Sequence, residues 1–67
     1  MNIKDLNIGD FVYVTCGKIY MLKRQVVRLF PEANYAVLEC AGHWAHYTQD
    51  KIIRKAKKEE PMWKKYE

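Results

Sequence analysis

The 67-residue chain contains no serine, only three glycines, two prolines and two cysteines. Without serine, a Ser-His-Asp nucleophile is excluded. The glycines stand singly at Gly9, Gly17 and Gly42, so no glycine-rich loop is available to cradle a phosphate. The carboxylates are sparse and form no Asp-x-Asp cluster of the kind that holds calcium or magnesium. No apolar run approaches the length of a membrane span, and the N-terminus lacks a charged-then-apolar signal pattern. A cytoplasmic protein without membrane contact is therefore expected. Cys16 and Cys40 are too few for a disulfide-stapled secreted scaffold, and both thiols are expected to be reduced. The length leaves room for one small domain with a small core and none for a Rossmann unit or a TIM barrel.

What is present argues for a packed core: 49% of the residues are hydrophobic and 13% aromatic. The formal net charge is +4, and all of it lies near the C-terminus. Residues 1–50 balance Lys4, Lys18, Lys23, Arg24 and Arg28 against Asp5, Asp10, Glu32, Glu39 and Asp50. Residues 51–67 set Lys51, Arg54, Lys55, Lys57, Lys58, Lys64 and Lys65 against Glu59, Glu60 and Glu67. The chain reads as a neutral body with a basic tail, which can find phosphate, meet an acidic protein face or serve as a solubilising end.

The local patterns are those of short strands and tight turns. Leu6 and Ile8 read as anchors of a lead-in, and Gly9-Asp10 as a turn. Phe11 to Cys16 alternates as a strand, with Val12, Val14 and Cys16 on one face and Phe11, Tyr13 and Thr15 on the other. Gly17-Lys18 is a second turn. Residues 19–30 form a long run whose parity changes across Lys23 to Gln25, so either two strands meet there or one strand bends. Pro31 to Asn34 turns the chain. Tyr35 to Cys40 is a strand with Ala36, Leu38 and Cys40 on one side. Ala41-Gly42 is a hairpin turn, and His43 to Thr48 is the return. Residues 48–51 read as one helical turn with Thr48 as a cap, and residues 52–54 as a closing strand. After Pro61, the spacing of Met62, Trp63 and Tyr66 predicts one face of a helical turn that forms only by docking.

Five short strands with a single helical turn before the last describe a small all-β barrel. Ile8-Gly9-Asp10-Phe11-Val12-Tyr13-Val14 resembles the opening strand of SH3-like barrels, including the KOW and Tudor-like groups. Gln25 to Leu29, Tyr35 to Leu38 and Trp44 to Ile53 follow in a similar order. The resemblance covers residues 6–55. It implies a five-stranded SH3-like barrel over residues 1–55, with a basic, aromatic-containing tail over 56–67. Because the core is expected to end near Ile53, the barrel is expected to fold without residues 56–67. In size and style the chain also resembles small accessory proteins of phages and other mobile elements. Where KOW motifs usually place a glycine, Gln25-Val26-Val27 stands.

Cys40-x2-His43-x2-His46, with Cys16 as a fourth ligand, has the donor chemistry of a tetrahedral zinc site. On a strand, however, His43 and His46 point to opposite faces, which argues against a shared metal. Cys40 and His43 could form a nucleophile-base pair, but a barrel this small offers no pocket to exclude water, and no catalysis and no cofactor are expected.

The aromatic residues carry more information. Phe11, Tyr13, Tyr20, Phe30, Tyr35, Trp44 and Tyr47 are too many for so small a core, so some rings must lie outside. If Ala45 faces inward, Trp44 and His46 face out, and Tyr20 near Lys23 and Arg24 is a second candidate. In the tail, Lys55, Lys57, Lys58, Lys64 and Lys65 interleave with Trp63 and Tyr66, which suits either single-stranded nucleic acid or an anchor on a protein. The expectation is a non-catalytic protein-interaction module, an adaptor or inhibitor. Its contact residues are drawn from Tyr20, Arg24, Trp44, His46, Lys55, Lys57, Lys58, Trp63, Lys64, Lys65 and Tyr66. The alternative is a nucleic-acid-binding accessory domain using the same tail.

Overall fold

β-branched and aromatic side chains pack best on a pleated backbone, and they dominate the extended segments of the computed structural model, which describes residues 1–67. The strands are β1 (Phe11–Cys16), β2 (Tyr20–Phe30), β3 (Tyr35–Cys40), β4 (His43–Thr48), β5 (Ile52–Ala56) and β6 (Trp63–Lys65). Short 3-10 turns occupy Ile3–Asp5, Pro31–Ala33 and Gln49–Lys51. No helix is long and apolar enough to cross a membrane.

All pairings are antiparallel, in the order β4-β3-β2-β1-β5, and β6 joins β2 beside that path. Several expectations change here. The sheet has six strands where five are expected, and no ladder joins β4 to β5, so it is open at those strands. Residues 63–65 are a strand and not part of a helical turn. A free edge of β2 supplies hydrogen bonds that an isolated short helix would lack. The turn before β5 is present, but Thr48 makes no side-chain capping bond to it.

β2 is one strand that serves two neighbours along one edge. Its first residues pair with β6 (Tyr20↔Lys65, Met21↔Lys64, Leu22↔Trp63), and its later ones with β3 (Gln25↔Glu39 to Phe30↔Tyr35). The parity change falls at Val27, beyond the polar residues where the alternation suggests it. The register passes from Val26↔Leu38 to Arg28↔Val37, leaving Val27 as a bulge. The two connections into and out of β3 use left-handed backbone, at Asn34 (φ 58) and at Ala41 and Gly42 (φ 49 and 86). Positive φ at both central residues is the type I′ hairpin turn.

The core lies on one face of the sheet. Val12, Val14, Leu22, Val26, Ala36, Leu38 and Ile52 pack there with Ile3 and Leu6 from the lead-in. Ile8, expected as an anchor, is 69% exposed, because the turn at Gly9 carries it off the sheet.

Tyr13 and Met21 are buried as fully as the core, yet they lie outside that cluster, on the other face. The C-terminal segment covers them. Tyr13 donates to the Pro61 carbonyl (2.6 Å), and the Lys23 amide donates to the Met62 carbonyl (2.7 Å). Lys23 Nζ donates to the carbonyls of Lys58 and Glu60, both at 2.6 Å.

Candidate functional site

On the outer side of β2, β3 and β4 the strand alternation gathers rings. Phe30 and Tyr35 are register partners across the Pro31–Ala33 turn, and their rings stack at 4.8 Å with 19° between planes. Tyr35 meets His46 edge-on at 5.2 Å. Trp44 stands opposite Glu39 on the same face and is 62% exposed. Val37, register partner of both Arg28 and His46, forms the buried floor. Ala45 pairs with Leu38 and turns inward, which is why Trp44 and His46 face out.

Phe30 and Tyr35 belong to this face although they are not among the contact residues expected from sequence. The signal was available: two aromatics flanking a short Pro-to-Asn turn fall opposite each other once that turn closes a strand pair.

The tail aromatics go elsewhere. Trp63 meets Tyr20 edge-on at 6.2 Å, with 88° between planes. Tyr66 binds the β1–β2 turn twice, through its amide to the Ile19 carbonyl (2.9 Å) and its hydroxyl to the Gly17 carbonyl (3.1 Å). Tyr20, Trp63 and Tyr66 therefore form a second exposed group, apart from Trp44 and His46. Arg24 joins neither. It lines a cleft of about 170 Å³ at the fork between β3 and β6, with Phe11, Gln25, Glu39 and Met62, and its buried Nε has no partner.

The basic tail is partly neutralised within the fold. The Arg54 guanidinium lies over the Tyr13 ring at 4.9 Å and is gripped by two carboxylates, Glu60 (2.9 Å) and Glu67 (2.7 Å). Lys64 reaches both, at 3.5 and 3.1 Å. The hydrogen bonds from Arg54 hold Glu60 and Glu67 down at about 2, and the same carboxylates raise Arg54 further above its ordinary range. Lys64 is likewise raised, chiefly by Glu67. Burial raises the Tyr13 phenol, with the Glu60 charge adding to it. Lys55 approaches Asp10 at 3.6 Å. The ammonium groups of Lys57, Lys58 and Lys65 have no carboxylate partner, although the Lys57 amide donates to Glu60 at 2.9 Å.

The four residues with zinc-ligand chemistry are dispersed. Cys40 and His43 face each other across the hairpin turn, Cys16 pairs with Tyr20 at the far end of β1, and His46 points to the opposite face from His43. No three His, Cys, Asp or Glu side chains come together in a way that could hold an ion, and both cysteines are free.

Compared with protein-family models, with curated proteins and with solved structures, the chain matches none.

Proposed function

We propose that this chain is an SH3-like barrel elaborated by a C-terminal strand, and that it acts as a non-catalytic protein-interaction module. Its contact face is the outer side of β2, β3 and β4. The strand order and the turn before β5 support the fold reading. The observation that carries the functional reading is the ladder Phe30-Tyr35-His46 beside an exposed Trp44 on the outer face of the sheet. Ordered rings lose little side-chain freedom on binding and bury large areas, which is how a few aromatic anchors come to dominate protein interfaces. The fixed charges of this face are Arg28, Glu39 and, toward β1, Lys23, whose ammonium is occupied by the Lys58 and Glu60 carbonyls; so few free cations suit a protein surface better than a phosphate backbone. Free Cys16 and Cys40 support a reducing, cytoplasmic setting.

A second reading draws on Lys57, Lys58 and Lys65, whose ammonium groups lack carboxylate partners, and on the exposed Trp63: a surface for single-stranded nucleic acid. Two measurements separate them. Fluorescence titration with single-stranded DNA, duplex DNA and RNA is run at low and near-physiological salt. In parallel, affinity capture compares the native chain, Trp44→Ala, and a Lys57→Ala, Lys58→Ala, Lys65→Ala triple variant. The protein-binding reading expects a partner held at physiological salt by the native and lysine variants and lost from Trp44→Ala. Micromolar nucleic-acid binding that falls steeply with salt and vanishes in the lysine variant would replace it.

A further inference from the structure

Each end of the sheet is an edge, and the two are built differently. β5 has a bulge at Ile53, where the register with β1 jumps from Tyr13↔Arg54 to Val14↔Ile52, and it carries two fixed cations, Arg54 and Lys55. Bulges and edge charges are the usual devices that keep one sheet from pairing with another. β4 has neither. Its sequence, His-Trp-Ala-His-Tyr-Thr, contains no lysine, arginine, carboxylate or proline, and its register with β3 is unbroken from Cys40↔His43 to Tyr35↔Thr48.

The direction of the free hydrogen-bonding groups follows from the hairpin. A two-residue turn makes Cys40 and His43 a bonded pair, so alternate residues of β4, His43, Ala45 and Tyr47, face β3. The bond from the Gln49 amide to the Asn34 carbonyl (2.9 Å) continues the same phase past the end of the strand. The amides and carbonyls of Trp44, His46 and Thr48 therefore point away from the sheet, and β4 pairs with β3 alone.

We propose that this edge pairs with the same edge of a second copy, antiparallel across a two-fold axis beside His46. The inference concerns backbone groups and stands apart from the reading of the aromatic face. In an antiparallel pair, directly opposed residues share a face, so a register that continues the sheet must match outward residues with outward ones. The axis at His46 does this and uses every free group. Trp44 exchanges bonds with Thr48 of the other copy, His46 with His46, and Thr48 with Trp44. The absence of fixed charge on β4 favours a second copy as the occupant, because self-pairing brings no like charges together. β5 is the poorer candidate, because its bulge interrupts a regular edge and its Ile52 carbonyl already accepts from the Met1 amine. An isologous contact of this kind closes at the dimer and leaves no free β4 edge for further growth.

The test is sedimentation velocity from micromolar to millimolar protein, on the native chain and two double variants. The native chain is expected to rise toward twice the monomer mass. Trp44→Lys with Thr48→Lys sets lysine opposite lysine at both ends of the pairing, and is expected to weaken association by roughly tenfold or more. Trp44→Lys with Thr48→Glu sets lysine opposite glutamate and is expected to restore it, an effect that salt should reduce. In the native chain, amide exchange at Trp44, His46 and Thr48 should slow as concentration rises, while Ala45 and Tyr47 stay protected at all concentrations. A native chain that remains monomeric at millimolar concentration would overturn the proposal. So would association that the paired lysines leave unchanged, or a glutamate variant that stays as weak as the lysine one.

Discussion

The phenolic oxygen of Tyr13 donates to the carbonyl of Pro61 at 2.6 Å, joining a fully buried residue of β1 to the chain's last turn across 48 residues of sequence. The bond shows how Tyr13 and Met21 come to be buried on the outer face of β1 and β2. The segment that follows β5 folds back over it, pairs as β6 with β2, and is fastened by Lys23, Arg54 and Tyr66.

Contrary to the expectation that the tail is dispensable, removal of residues 57–67 is expected to be costly for this reason. Tyr13 and Met21 would meet water, at about 1.5–3 kcal/mol for each large side chain. A domain of this length has only a few kcal/mol to lose. The melting temperature of the truncated chain is expected to fall by more than about 10 °C. Tyr13→Phe, which removes only the bond to Pro61, should lower stability by about 1 kcal/mol. Thermal unfolding followed by circular dichroism checks both, and an unchanged melting temperature after truncation would mean the segment merely rests on the sheet.

The same segment should impose an acid limit. Glu60 and Glu67 are held at about 2, below their ordinary 4.5, first by hydrogen bonds from Arg54. A carboxylate lowered by folding stabilises the folded state fully above its unfolded value, and that contribution is lost as pH falls through the folded value. Stability should therefore be level from neutrality down to about pH 5 and decline from there toward pH 2. Both groups are solvent-screened, so the slope should flatten in high salt. Glu60→Gln should reduce the decline, as measured by denaturant midpoints across that range. An identical pH profile in the variant would sink the assignment.

Ala41 offers a gain. Its φ of 49 is a conformation that an alanine Cβ opposes, by roughly 1–2 kcal/mol, whereas asparagine tolerates it. Ala41→Asn would create the Asn-Gly pair favoured in type I′ turns and should stabilise the chain by about 1 kcal/mol. A higher urea midpoint with unchanged slope is the expected result. A lower midpoint would mean that alanine is held there by contacts at the neighbouring cleft.

Much of the sheet was legible because strand signals are local. Alternation in Phe11 to Cys16 and Tyr35 to Cys40, and the turns at Gly17, Asn34 and Gly42, need only nearest neighbours to be read. Outward Trp44 and His46 followed from Ala45 turning inward. Ile8 and the tail escaped the same reasoning. An exposed isoleucine has the same local pattern as a buried one. Likewise, Met62, Trp63 and Tyr66 fit a helical face as readily as a strand whose partner lies some forty residues away.

The sequence by itself determined the all-β class, the order of the extended segments, and which side chains share a face within Phe11–Cys16 and Tyr35–Cys40, because side-chain period and turn chemistry are properties of short segments; which of those faces is buried, and that residues 20–30 are one bulged strand, only the packed sheet decided. Tertiary structure decided that β2 divides one edge between β3 and β6, that Tyr13 and Met21 are buried from the far side, and that Arg54 spends its charge on Glu60 and Glu67. Those outcomes depend on contacts between residues distant in sequence, where hydrogen bonds and burial on an existing sheet outweigh the weak local preferences of the segment that supplies them.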